Sequence, residues 1–227
     1  MGLDVLYEDN HLIAVNKKAG ELVQGDETGD LPLPDRVKSY LKEKFNKPGN
    51  VFLGVVHRLD RPTSGTVVFA RTSKALSRMN DLFRHRETQK TYWALCEDRP
   101  AIPEGKLVDY LAKNPKQNKS YVVGPKHPKG KKAELSYRLL ASLDRYHLIE
   151  VDLHTGRHHQ IRAQLAAMGC IIKGDLKYGA KRSNPDGSIS LHARRLSFTH
   201  PVQKENLTLT APCPADKVWQ AAENTMR

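Results

Sequence analysis

The sequence predicts an α+β fold, with a mixed, largely antiparallel central sheet and flanking helices and loops. Strand-like runs outnumber helix-like runs, and several follow one another with only a turn between them, unlike the strand and helix alternation of a doubly wound sheet. No internal repeat is present.

Val5 to Tyr7 and Leu12 to Asn16 are apolar-rich runs separated by Glu8-Asp9-Asn10-His11, which reads as a strand, a turn and a strand. Val37, Tyr40, Leu41 and Phe45 fall at helical spacing after Pro34, and Lys47-Pro48-Gly49 ends that helix. Thr66 to Ala70 is a β-branched strand run. Leu76, Met79 and Phe83 then mark the inner face of a second helix, whose cap lies in Arg71-Thr72-Ser73. Tyr92 to Cys96 predicts a strand, after which Pro100 and Pro103 open a long irregular stretch, expected to include a mobile loop from Lys113 to Lys132. Leu135 to Ala141 and Tyr146 to Leu153 pair around Asp144-Arg145. Ile161, Leu165 and Met168 line a helix that Gly169 terminates. Leu191 to Thr199 and Leu207 to Thr210 are strands ahead of a short helix carrying Val218 and Trp219.

The 227 residues include 37 Lys+Arg against 25 Asp+Glu, a formal charge of +12 that favours a polyanionic partner, RNA or DNA above all. The charge is uneven, for Lys113 to Lys132 holds seven lysines and no acid. No apolar run has the length of a membrane-spanning helix, and the N-terminus lacks the basic start and apolar run of a signal peptide, so a cytoplasmic protein without a membrane partner is expected. Leu6 stands where a myristoylation signal at Gly2 needs Ser or Thr. Cys96, Cys170 and Cys213 are too scattered for a disulfide framework. One domain over residues 1–227 is expected.

Two segments carry chemistry. His57-Arg58-Leu59-Asp60-Arg61-Pro62-Thr63-Ser64-Gly65 sets one carboxylate among arginines and turn formers just before a strand, which favours a fixed, ionised acid. The same residues also fit a surface turn with a local salt bridge. His154 to Arg162 begins a helix with donors at its anion-attracting end, and Arg157 and Arg162 do not share a helical face. An exposed, charged helix start is the plainer alternative. A metal site at His154, His158 and His159, or at His57, is disfavoured because Thr155-Gly156 breaks the helical register and arginines crowd the histidines. No Gly-rich nucleotide loop occurs, so no cofactor is expected.

HRLDRPTSG at residues 57–65 resembles the signature of the RluA-type pseudouridine synthases, which isomerise uridine in ribosomal or transfer RNA. Further segments agree in order: Lys90-Thr91-Tyr92, TGRHHQIR at 155–162, Gly174-Asp175-x-x-Tyr178-Gly179, Leu191-His192-Ala193 and Thr199-His200-Pro201. The resemblance runs from about Leu3 to Pro212. It departs at Lys17-Lys18-Ala19-Gly20, where the family usually has Lys-Pro-x-Gly, and the S4 domain of larger relatives is not expected, because the first hairpin begins at once.

The resemblance implies Asp60 as the catalytic carboxylate, attacking ribose C1′ or assisting glycal formation. It implies Arg162 as its ion-pair partner and Tyr92 as the ring stacked on the target uracil. Arg58 is implied to brace the gap left by a flipped nucleotide. Leu59, Arg157, His159, Gln160 and Leu191 are expected along the substrate. Lys17, Lys18, Arg84 and Arg86, with the run containing Lys126 and Lys129, are expected on RNA phosphates. A monomer is the family default. The alternatives are a nucleobase glycosylase or a histidine-dependent metal hydrolase, which would activate water, and an RNA-binding protein without catalysis.

Overall fold

Punctuation in the sequence sets the element boundaries in the computed structural model, which describes residues 2–25 and 29–226. In chain order the elements are β1 (Val5–Glu8), β2 (Leu12–Lys17), α1 (Leu33–Lys44), β3 (Gly54–Val55), β4 (Ser64–Ala70) and α2 (Ser73–His85). They continue with β5 (Gln89–Cys96), β6 (Glu104–Asn114), β7 (Lys119–Val123), β8 (Lys131–Ser142), β9 (His147–Leu153) and α3 (Gln160–Ala167). A short 3-10 turn (Leu176–Tyr178) precedes β10 (Leu191–Thr199), β11 (Asn206–Thr210) and α4 (Lys217–Asn224). Thr72 Oγ1 accepts from the Ala75 N–H at 3.1 Å and starts α2, and Asp216 caps α4 in the same way. Gly169, at φ +86°, takes the left-handed position beyond α3.

The fold is α+β, a mixed, largely antiparallel sheet with flanking helices, as the sequence predicts. The chain divides into two compact units, Met1–Thr88 with Ala193–Pro212, and Gln89–His192 with Cys213–Arg227.

In the first unit β1, β2 and β4 form antiparallel ladders, β3 adds to β4 and β11 pairs with β10. The core gathers Leu12, Ala14, Val68 and Ala70 under Ala75 and Met79 of α2, together with Leu196, Phe198 and Leu209. Each of the larger side chains here, Leu12, Val68, Met79, Leu196, Phe198 and Leu209, contributes about 1.5–3 kcal/mol when buried. Every residue of β4 is buried, which explains its unbroken apolar run. Gly65 is required where β4 begins. Its φ is +116°, and a Cβ there would lie 2.4 Å from the Ala193 carbonyl oxygen.

In the second unit the strand order is β5-β9-β8-β6-β7, all antiparallel neighbours. Ile161 and Leu165 of α3 pack on Ala94, Leu135, Ile149 and Val151, while Trp219 of α4 packs with Trp93, Leu95 and Leu148. The expected loop from Lys113 to Lys132 instead contains a strand hairpin: β6 reaches Asn114, β7 returns in register from Lys119 to Val123, and β8 begins at Lys131. Pro115 and Asn118 make the tight turn, with the Asn118 N–H on the Pro115 carbonyl and Asn118 at φ +44°. An exposed hairpin needs few apolar residues, so its lysines hid the strand pattern. The irregular stretch after Pro100 likewise ends at Glu104, where β6 starts.

Candidate active site

Asp60 sits in a turn closed by the Thr63 N–H on its own carbonyl at 3.0 Å, immediately before β4. The turn is braced from beneath by Lys17, the last residue of β2, which is 0% exposed. Its ammonium donates to the carbonyls of Lys18 at 3.0 Å, Arg61 at 3.0 Å and Thr63 at 2.7 Å. Three donors on one nitrogen thus meet three acceptors. Burial pushes the Lys17 pKa down to about 8, while the nearby Glu21 and Asp60 carboxylates favour its charged form and Arg61 opposes it. This corrects the expected contact of Lys17 with RNA: its charge is turned inward to hold the loop.

The neighbours of Asp60 are also anchored. Arg61 pairs with Asp30 and Arg58 with Gln24, both at the surface. Leu59 is 8% exposed and points inward. His57 accepts from the Val68 N–H at 3.1 Å through Nε2 and stacks on Phe83.

In the second unit Tyr92 lies half-buried on β5, packed against the cluster containing Val151, Ile161 and Leu191. Leu191 belongs to that core at 4% exposure. Arg157 precedes α3 and its Nε donates to the Lys132 carbonyl at 3.0 Å. Both polar atoms of the Gln160 side chain are engaged: Oε1 accepts from Thr155 Oγ1 at 2.7 Å and the Arg157 N–H at 3.0 Å, and Nε2 donates to the Glu134 carbonyl. The expected substrate contact of Gln160 is therefore corrected to a brace that fastens residues 155–157 to β8. Arg162, in the first turn of α3 and buried, meets Asp175 in a bidentate pair, Nε to Oδ2 at 2.7 Å and Nη2 to Oδ1 at 2.9 Å.

Tyr178 completes this neighbourhood. Its ring lies 5.0 Å from the Arg162 guanidinium and 4.8 Å from the Lys119 ammonium. His159, buried at the N-cap of α3 with φ +53°, meets the Tyr178 hydroxyl at 3.0 Å through Nδ1 and stacks on His158. Burial, then the Arg162, His158, Lys177 and Lys113 charges, push its pKa down to about 2, so it is neutral at physiological pH. His158 Nδ1 meets Ser120 Oγ and His154 Nε2 meets Ser136 Oγ. Among the described residues no group of three or more His, Cys, Asp or Glu is placed to hold a metal ion.

Asp60 belongs to the first unit, Tyr92 and Arg162 to the second. The sequence reading missed Asp175 as a partner of Arg162 and Lys17 as a brace. A signal existed for Lys17, since strand alternation carries the buried face of Ile13 and Val15 on to residue 17.

Asp60 thus stands on a turn braced by a buried ammonium, in a strongly basic α+β fold. Residues 11–167 match the model of the RNA pseudouridylate synthase family, and the chain belongs to that family, whose members are isomerases. An uncharacterised RNA pseudouridine synthase of Synechocystis sp. is 33% identical over 217 residues, covering 94% of this chain and 66% of the relative. The tRNA pseudouridine synthase C of Vibrio cholerae is 33% identical over 236 residues, covering 96% and 93%. The solved structure of human RNA pseudouridylate synthase domain containing 4 shares the fold, with a TM-score of 0.81 at 24% identity, covering 99% of this chain and 93% of that one. No helix among the described residues is long and apolar enough to cross a membrane.

Proposed function

We propose that this chain isomerises specific uridines of transfer or ribosomal RNA to pseudouridine, as a cytoplasmic monomer that needs no cofactor, with Asp60 as the reacting carboxylate. The observation that carries the reading is the turn bearing Asp60, fixed by the buried Lys17 ammonium within the HRLDRPTSG segment. The Vibrio relative, matched over nearly all of both chains, makes transfer RNA the first substrate to test.

The reaction breaks the bond from ribose C1′ to uracil N1, turns the freed base and joins C1′ to C5. The C5 proton leaves and N1 regains one, so no atom or electron is lost overall. Asp60 attacks C1′, or draws the C2′ proton to give a glycal. Either route needs it ionised. Arg162, itself oriented by Asp175, supplies positive charge to that carboxylate. Tyr92 stacks on the uracil; a phenol titrating near about 10 is a poor base at neutral pH. The exposed Arg58 braces the vacated stack, and Lys126, Lys129 and the hairpin lysines take backbone phosphates.

The test is product analysis. The purified chain is incubated with C5-tritiated RNA transcripts, which are then digested to nucleosides. Released tritium together with pseudouridine is expected. Free uracil with abasic ribose would identify a glycosylase, and tight binding with unaltered uridine an RNA-binding module.

A further inference from the structure

The β6–β7 hairpin ends the strand order of the second unit, so β7 leaves one row of backbone groups without a neighbouring strand. At Ser120 that row is filled by a side chain. The Tyr178 hydroxyl accepts from the Ser120 N–H at 3.0 Å and donates to the Ser120 carbonyl at 3.0 Å, as a paired strand would. A phenol has one proton to give, so the contact from His159 Nδ1 to the same oxygen is a donation by the neutral imidazole. Lys177 also reaches the turn, with Nζ 3.2 Å from the Asn118 carbonyl. The other end of Tyr178 does different work, because its ring covers the Arg162 guanidinium that Asp175 grips from the edge.

We propose that Tyr178 is a positioning residue with two separable parts: a hydroxyl that staples the lysine hairpin through the Ser120 backbone, and a ring that holds Arg162 in place. One side chain thereby links the surface that takes up RNA to the arginine that serves the carboxylate. The proposal rests on the functional reading above for the roles of RNA and Arg162. Lys113 and Lys116 are exposed on this hairpin, and Lys119 is held over the same ring. Loss of the staple frees the lysines to move independently and weakens their joint grip on phosphates.

The experiment compares Tyr178→Phe and Tyr178→Leu in the full chain, using steady-state tritium release from an RNA transcript. Tyr178→Phe keeps the ring and loses the staple, so KM for RNA should rise about tenfold with kcat within about twofold. Tyr178→Leu loses both parts, so kcat should fall by about tenfold or more as well. An unchanged KM in Tyr178→Phe, or a fall in kcat matching that of Tyr178→Leu, overturns the division of labour. If Tyr178→Leu does not fold, the split between KM and kcat in Tyr178→Phe decides alone. A wild-type chain without isomerase activity overturns the functional reading instead. The staple is then judged by amide exchange at Ser120, where faster exchange in Tyr178→Phe supports it and equal exchange overturns it.

Discussion

The ammonium of Lys17 lies 2.7 Å from the carbonyl oxygen of Thr63, three residues past Asp60 and wholly out of solvent. A charge so placed is a structural strut for the loop that carries the acid, and it makes that loop sensitive to pH.

Two opposite pH effects follow from Lys17. Its pKa is about 8 when folded against 10.5 for the free side chain. Between these values the unfolded chain binds more protons, so this group makes the fold more stable as pH rises from 8 to 10.5. Activity should move the other way through pH 8, because the neutral amine has two N–H groups for three carbonyls. A pH-rate profile with a falling alkaline limb is expected, and Lys17→Met should lack that limb and show low activity throughout. In Lys17→Met the Gly20 and Glu21 N–H groups still serve Arg61 and Lys18, while Thr63 loses its lysine donor, at a cost of about 1–3 kcal/mol measured by denaturant unfolding.

Gly65→Ala should destabilise the protein by about 3 kcal/mol or more. The new methyl group would meet the rigid backbone of Ala193, at 2.4 Å from its carbonyl oxygen, with no flexible side chain to give way. Equilibrium unfolding in urea measures the loss; wild-type stability would show that β4 can shift.

Asp175→Asn keeps the shape of the pair with Arg162 but removes the negative charge from a site only 1% exposed. Breaking such a buried pair costs on the order of 3–5 kcal/mol when one partner is deleted, and the amide, which still accepts one hydrogen bond, should cost less. The larger effect is expected on kcat, since the guanidinium is no longer held in its bidentate orientation. Unfolding curves and single-turnover rates separate the two effects.

Much of the fold was legible because its signals are local. Thr72 and Gly169 mark helix ends by their own chemistry, and the alternation of Leu135 to Ala141 with Tyr146 to Leu153 announces the β8–β9 pair. The β6–β7 hairpin was illegible because an exposed strand need not alternate in hydrophobicity, and Ser120 is a small polar residue buried by partners distant in sequence. The same limit applies to the site. Asp60, Tyr92 and Arg162 stand out by residue type and by resemblance, whereas the grip of Asp175 on Arg162 joins two motifs that only folding brings together. Lys17 and Gln160 were read as RNA contacts because polar residues are ordinarily exposed; here every polar atom on each is turned to the protein's own backbone or side chains.

Replacing Asp60 by Asn tests the central claim most directly, with tritium release from C5-labelled RNA measured beside RNA affinity. Asparagine fits the same turn and can neither attack C1′ nor draw the C2′ proton as a carboxylate does. Release should fall to background while affinity for the transcript stays within about threefold, a change of under about 1 kcal/mol. Release at the wild-type rate from the Asp60→Asn chain would contradict the role assigned to this carboxylate.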